Sequence, residues 1–248
     1  MGNNALWDLN MAGVQWELAE MLTNCDIKET TSHQSLTGIT NRLNAQPIIV
    51  PPSAPITMDT VKSMAERPND IDSLIRMIAK FNHPLKNGAT QFVSPNIAIS
   101  PNKLLIITDI PGSEDDLSGK ILSGAAGELI DKMLSAIQMS RKDVSIIPLV
   151  FWRTPGGRTP TREELDLVRP FISKMIEMLQ PRVIITLGTL AASEIAQTNL
   201  ISSHGKEINT DNYIIVPIYH PNYLILKPSA KRDVWIALQN VQNILKNQ

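Results

Sequence analysis

The sequence predicts an α/β protein, a three-layer sandwich around a central, mostly parallel four-stranded sheet. Three observations predict it. Short continuous apolar runs, such as Leu104-Leu105-Ile106-Ile107 and the RVIITL segment from Arg182 to Leu187, have the character of strands buried on both faces. Those runs alternate with stretches of helical spacing, and such alternation calls for crossover connections and parallel pairing. The length, 248 residues with 43% hydrophobic residues, suffices to cover both faces of a sheet without disulfide staples.

The elements follow in order. Ala5 to Leu22 places Leu6, Leu9, Val14, Leu18, Met21 and Leu22 at helical spacing, with Trp7 and Trp16 beside them. This reads as an amphipathic helix that docks on the body or on a partner. Thr23 to Pro55 is rich in Thr, Ser, Asn and Pro and ends in Pro51-Pro52-Ser53-Ala54-Pro55, a composition that builds no core and marks a linker. The expected division is therefore 1–57 as helix and flexible linker, and 58–248 as the folded domain. Helices are expected at Met58 to Glu66 and, beyond Pro68, at Ile71 to Phe81 behind an Asn69/Asp70 cap. Strands are expected at Leu104 to Ile107, Val144 to Val150, Arg182 to Leu187 and Tyr213 to Val216, the last stopped by Pro217. Between and after them, helices are expected at Gly124 to Met139, Leu190 to Gln197 and Ser229 to Leu245. A further helix, ending near Leu179, opens on the capping box Thr161-Arg162-Glu163-Glu164.

Charge and cysteine usage set bounds. A net charge of −1 argues neither for nor against a nucleic-acid partner, because only a local basic patch would carry that contact. The single cysteine, Cys25, excludes an internal disulfide and any all-cysteine metal site within one chain. Asp8, Glu17 and Glu20 break any signal-peptide core, and no apolar run approaches the roughly 18–20 residues that span a bilayer. The expectation is a cytoplasmic monomer without a membrane partner.

Ligands of an open parallel sheet bind beyond the carboxyl ends of its strands. Three loops there have unusual composition: Thr108 to Asp116, Phe151 to Arg158 and Tyr219 to Leu224. Each also has a plain reading. Pro-Gly and Gly-Gly pairs are ordinary turn chemistry, Glu114-Asp115-Asp116 suits a solvated helix start, and a lone His-Pro after a strand is commonly just loop. His33, His83, His204 and His220 show no metal-ligand spacing, and neither a nucleophile elbow nor a phosphate-binding loop is present.

Taken together, these loops resemble the uracil-DNA glycosylase superfamily, in particular its family-4 bacterial members. Thr108-Asp109-Ile110-Pro111-Gly112-Ser113-Glu114-Asp115-Asp116 is similar to that family's G-E-A-P-G-x-x-E-D, and Gly119 to Leu134 is similar to its G-x-P-F-V-G-x-A-G-x-L-L-D-x-M-L. Its segment I-T-N-x-x-K-C-R-P-P-x-N-R-x-P-T-x-x-E falls on Ile146 to Glu164, where Arg153, Pro155, Arg158, Pro160, Thr161 and Glu164 match. Pro181 to Ala191 and Tyr219-His220-Pro221-Asn222-Tyr223-Leu224 complete the series. The resemblance spans about Phe81 to Leu245 and implies a uracil-DNA glycosylase-like domain over 58–248.

The resemblance implies hydrolysis of the bond between a flipped-out base and its deoxyribose. His220 would donate to O2 of the departing base and Asp109 would orient water. Ile110, Pro111, Gly112, Leu122, Pro148 and His220 would line the base pocket. The His-Pro loop, Pro221 with Leu224, would wedge the duplex, while Asn222, Arg153, Arg158, Lys231 and Arg232 would meet phosphates.

Four departures fall on functional positions. Asp109 stands where the family has Glu, one methylene longer. Leu122 replaces the Phe that stacks on the base. Pro148 replaces the Asn that reads its Watson–Crick edge, and proline offers neither amide nor N–H. The iron–sulfur cysteines are missing: two of their positions fall on Trp152 and Val168, the others near His83-Pro84 or upstream. No cofactor and no metal are therefore expected, with packing at Trp152 in place of the cluster, or alternatively an exposed stacking platform there. Two functions stand open: a cluster-free DNA glycosylase of base-excision repair with altered specificity, acting on DNA that contains a modified base, or a catalytically degenerate relative that binds DNA or protein.

Overall fold

The structure is a computed structural model and describes residues 57–98 and 103–246. The expected N-terminal helix and linker, with Cys25 and His33, lie outside the described residues. The described residues fall in one unit, Ile56–Gln248.

The chain begins with two helices, α1 (Met58–Glu66) and α2 (Ile71–Lys80). The Asp70 side chain accepts the Ser73 amide at 2.8 Å and so starts α2 where the sequence predicts. Strand β1 (Leu104–Thr108) follows, then α3 (Ser113–Ser118), α4 (Gly124–Ala136) and β2 (Ser145–Pro148). The long helix α5 (Arg162–Leu179) opens on a complete capping box: Thr161 accepts the Glu164 amide at 3.2 Å and Glu164 accepts the Thr161 amide at 2.7 Å. Next come β3 (Val183–Leu187), α6 (Thr189–Ile195), α7 (Leu200–Ser203), β4 (Ile208–Asn209), β5 (Ile214–Ile218), α8 (Pro221–Leu226) and α9 (Lys231–Lys246).

The sheet has five strands, not the expected four, in the order β2-β1-β3-β5-β4. The extra strand is two residues long and antiparallel to β5, too short to leave an apolar signature in the sequence. The four others are parallel in register, so Thr108 lies opposite both Pro148 and Leu187, and Leu187 opposite Ile218. Alternate residues face opposite sides. Leu105, Ile107, Ile147, Ile184 and Ile215 join one core with α1, α2 and α5, a cluster that includes Phe81, Phe171 and Trp152. On the other face α9 packs against β3 and β5, and Gln242 Nε2 donates to the Ile137 carbonyl at the end of α4.

Pro217 does not stop the last strand, which continues to Ile218. The Ile214 amide donates to Arg182 and the Ile218 carbonyl accepts from Gly188, so the even positions of β5 bond to β3. The amide position of Pro217 therefore points toward β4, which ends opposite Ile215, and no ladder bond is lost. Pro148 fits for the same reason. Ile146 exchanges bonds with Asn96 on the outer side of edge strand β2, while the Leu149 amide donates to Thr108. The nitrogen of Pro148 thus faces away from β1.

Candidate active site

The register gathers Thr108, Pro148, Leu187 and Ile218 at the carboxyl edge of the sheet, and the loops that leave them carry the candidate residues. His220 is the N-cap of α8. Its Nδ1 accepts the Asn222 amide at 3.2 Å, which leaves the ring proton of the neutral imidazole on Nε2. Nε2 lies 3.1 Å from Oγ1 of Thr108 and donates to it. Burial pushes the His220 pKa down to about 4, so the ring is neutral at physiological pH. The result is a half-buried, uncharged, oriented N–H donor.

Asp109 follows Thr108 directly. Its Oδ1 accepts the Ala191 amide at 2.6 Å, and the amides of Leu190 and Thr189 also favour its carboxylate. Burial outweighs them and raises its pKa to about 6. The carboxylate approaches so closely that a Cβ on Gly188, whose φ is +104°, would clash with Oδ2. Only glycine fits there. Asp109 therefore anchors the first turn of α6 while keeping a charge about one residue from the His220 partner.

The remaining expected residues divide. Ile110 is half-buried, Pro111 and Pro148 are buried, and Gly112 is exposed at the start of α3, its amide donating to Asp115 Oδ2 at 2.9 Å. Leu122 is buried with φ +49°. Its carbonyl and that of Ile121 accept from the Arg141 guanidinium at 2.6 and 2.8 Å, and Arg141 Nε is paired with Asp131. The acidic run does start a helix, but Asp115 and Asp116 are buried rather than solvated. Asp115 accepts the Ser123 amide, and Asp116 the Thr90 amide.

The expected wedge is corrected. Leu224, expected to wedge the duplex, is only 1% exposed, because α8 turns it inward with Pro221. Arg158, expected at a phosphate, forms a bidentate pair with Glu164 at 2.6 and 2.8 Å. Asn222 and Arg232 are exposed, and Arg153 and Lys231 half-buried. Thr108 and Arg141 were not foreseen. Thr108 had a signal, as the one polar residue closing an apolar strand, whereas Arg141 had none. A pocket of about 180 Å³ between α5 and α6 is lined by Leu149, Val168 and Tyr213 among others and includes none of the candidate catalytic or base-binding residues.

The family model described as the Uracil DNA glycosylase superfamily matches residues 96–240. The chain belongs to the uracil-DNA glycosylase superfamily. It is 27% identical over 174 residues to the type-4 uracil-DNA glycosylase of Archaeoglobus fulgidus, covering 66% of this chain and 87% of that one. It is 29% identical over 152 residues to that of Thermotoga maritima, covering 59% and 79%. Over 94 residues, 38% of this chain and 48% of the other, it is 37% identical to that of Pyrobaculum aerophilum.

The resemblance to family-4 members implies an iron–sulfur cluster. The residues present here do not fit one. One cysteine cannot supply four thiolates. At the positions concerned, His83 and Trp152 stack with centroids 5.2 Å apart and planes 8° from parallel, and Val168 is buried in the same core. His83 Nδ1 accepts the Leu85 amide and its Nε2 donates to the Glu164 carbonyl at 3.0 Å. Both ring nitrogens are thus occupied. Trp152, at 1% exposed, is core and not a stacking platform.

Proposed function

We propose that this chain is a DNA glycosylase that hydrolyses the N-glycosidic bond of uracil, or of another altered base, flipped out of DNA. The observation that carries the reading is the neutral His220 with its Nε2–H held at the sheet edge by Thr108. In the reaction the bond between C1′ and the base nitrogen breaks, the electron pair leaves with the base, and water adds to C1′. Negative charge grows on the base O2. His220 Nε2–H, exchanging Thr108 for O2, stabilises that charge as an oxyanion-hole donor does. The imidazolium pKa of about 4 keeps the ring neutral, and a neutral imidazole donates a hydrogen bond while keeping its N–H proton; the proton released when water adds to C1′ passes through solvent to the base anion. Asp109, ionised at neutral pH, offsets the positive charge on the sugar and orients the attacking water.

Half-buried Ile110 offers the base an apolar contact and Pro148 offers no polar one, so selectivity for uracil over other bases is reduced in this reading. The catalytic unit is 58–248, acting as a cytoplasmic monomer on DNA containing a modified base and without a resident cofactor. The buried Pro148 also supports the second reading, a degenerate relative that binds DNA or protein without catalysis.

Single-stranded and duplex oligonucleotides carrying uracil, hypoxanthine or xanthine separate the two. Alkali-labile sites that disappear in His220→Ala support the first reading. Failure to release any base at large enzyme excess overturns it, and a salt-dependent mobility shift unchanged by His220→Ala then favours the second.

A further inference from the structure

Arg141 lies between α4 and β2, on neither of the loops that carry His220 and Asp109, yet its contacts converge on the loop before α4. Its Nη1 donates to the Ile121 carbonyl at 2.8 Å and its Nη2 to the Leu122 carbonyl at 2.6 Å, with the Gly127 carbonyl 3.4 Å from the same nitrogen. Nε donates to Asp131 on α4 at 2.6 Å, which fixes the plane of the guanidinium. The backbone of Arg141 is anchored too. Asn96 Nδ2 donates to its carbonyl at 2.7 Å and to that of Val144 at 2.8 Å, while the backbone of Asn96 pairs with Ile146 in β2. One residue thus ties the strand that ends at Pro148 to the carbonyl of Leu122.

Leu122 needs that tie. Its φ is +49°, a left-handed conformation that a leucine keeps only where its surroundings over-determine it. The guanidinium holds the carbonyls on one side, and Asp115 Oδ1 accepts the Ser123 amide at 2.6 Å on the other. The Leu122 carbonyl also packs so closely on Gly127 that a Cβ there would clash with it. The side chain fixed in this way is 3% exposed. Its loop borders the site, because the second oxygen of Asp115 accepts the Gly112 amide at 2.9 Å and so joins it to the loop that begins at Asp109. His220 and Asp109 are held elsewhere, by Thr108 and by the first turn of α6.

We propose that Arg141 is a positioning residue for base binding, which locks Leu122 in its left-handed conformation and so fixes the wall behind the base pocket. The proposal rests on the glycosylase reading above and assigns to that site a group that governs capture of the base rather than bond breaking. Without the clamp the loop relaxes toward negative φ and Leu122 swings out of place. The His220 donor and the Asp109 carboxylate keep their own supports. A planar guanidinium holds two carbonyls while Nε stays paired, which the point charge of a lysine cannot do.

The test uses the full chain with Arg141→Lys and with Asp131→Asn, which leaves the arginine in place but frees its plane. Single-turnover excision of uracil from a single-stranded oligonucleotide is followed as a function of enzyme concentration. Arg141→Lys should raise the half-saturating concentration about tenfold and leave the saturating rate within about threefold. Asp131→Asn should raise the former about threefold, and it decides alone if Arg141→Lys does not fold. Hydrogen exchange read by mass spectrometry should quicken about tenfold over 119–127 in Arg141→Lys and stay unchanged in α5 and β3. An unchanged half-saturating concentration, a loss confined to the saturating rate, or faster exchange across the whole domain marks a residue that only supports the fold, and overturns the proposal. If the unsubstituted chain excises no base, the glycosylase reading fails, and binding of uracil-containing against thymine-containing oligonucleotide decides the role of Arg141 alone. A preference for uracil that Arg141→Lys loses supports it. No preference in the unsubstituted chain, or an equal one in the variant, overturns it.

Discussion

Nε2 of His220 and Oγ1 of Thr108 lie 3.1 Å apart, although 112 residues separate them in sequence. The contact exists because β1 and β5 both flank β3 in parallel register and end at the same edge. Thr108 thus holds, before substrate arrives, the N–H that the departing base would need.

Thr108→Val keeps the shape of the strand end and removes the acceptor. Because Nε2–H gives up Thr108 for O2 in the proposed reaction, the bond of about 1 kcal/mol belongs to the resting enzyme, and its loss does not weaken transition-state binding. The expected result is a kcat within about fivefold of the original, with Thr108→Ser near the original rate. His220→Ala should cost more, about 10²–10³ in kcat, as removal of an oxyanion donor does. Single-turnover excision assays measure both.

The pH dependence belongs to Asp109. Its carboxyl must be ionised to offset charge on the sugar, and burial holds its pKa at about 6. Catalytic efficiency, kcat/KM, should therefore fall with unit slope as pH drops below about 6, and level off above. His220, with a pKa of about 4, does not supply that limb. Stability runs the other way. A carboxyl whose folded pKa is raised stabilises the fold below its unfolded pKa, and that contribution is lost as pH rises through about 6. Asp109→Asn should remove the limb from the residual rate, and its Tm relative to the unsubstituted chain should improve from about pH 4 to about pH 8. A limb that survives the substitution assigns the titration elsewhere.

Gly188→Ala tests how tightly that carboxylate is seated. The new Cβ would clash with Asp109 Oδ2, and φ of +104° is unfavourable for any side chain. A cost of about 1–3 kcal/mol is expected, lowering Tm by about 5 °C. Excision should drop alongside, because Asp109 and the first turn of α6 must move. Differential scanning calorimetry and excision assays on one preparation measure both effects.

The sequence made the parallel strands legible because each is a run of apolar residues, and α5 because its capping box is local chemistry. Local chemistry also has limits. His83-Pro84 and His220-Pro221 fold alike, each histidine capping a turn with Nδ1 on the amide two residues on. Only tertiary context separates them: His83 Nε2 meets a buried carbonyl, and His220 Nε2 a hydroxyl at the sheet edge. The orientation of Leu224 was illegible for a related reason. Read as loop, Tyr219 to Leu224 has no inner face, whereas in a helix begun by Pro221 the same leucine points inward. Arg141 reaches Leu122 across 19 residues, and no local pattern announces such a contact.

The place where the family resemblance implies a cluster yields the last prediction. An iron–sulfur centre ties distant loops together through four thiolates. Here the loop after β2 is tied by the stack of Trp152 on His83, the edge contacts of Trp152 with Phe92 and Phe151, and the hydrogen bond from His83 to Glu164. Glu164 also holds Arg158 and caps α5, so the loop's return to the helix depends on the same group. Packing of this kind needs the large ring itself. Trp152→Ala should cost about 3–5 kcal/mol, read as a lowered urea midpoint. His83→Phe would keep the stack but lose the bond to Glu164, and should cost about 1–3 kcal/mol through the unpaired carbonyl. Iron chelators should change neither the midpoint nor the excision rate of the unsubstituted chain. A chelator-sensitive midpoint, or iron absorbance in the purified protein, would show that something other than this aromatic plug holds the loop.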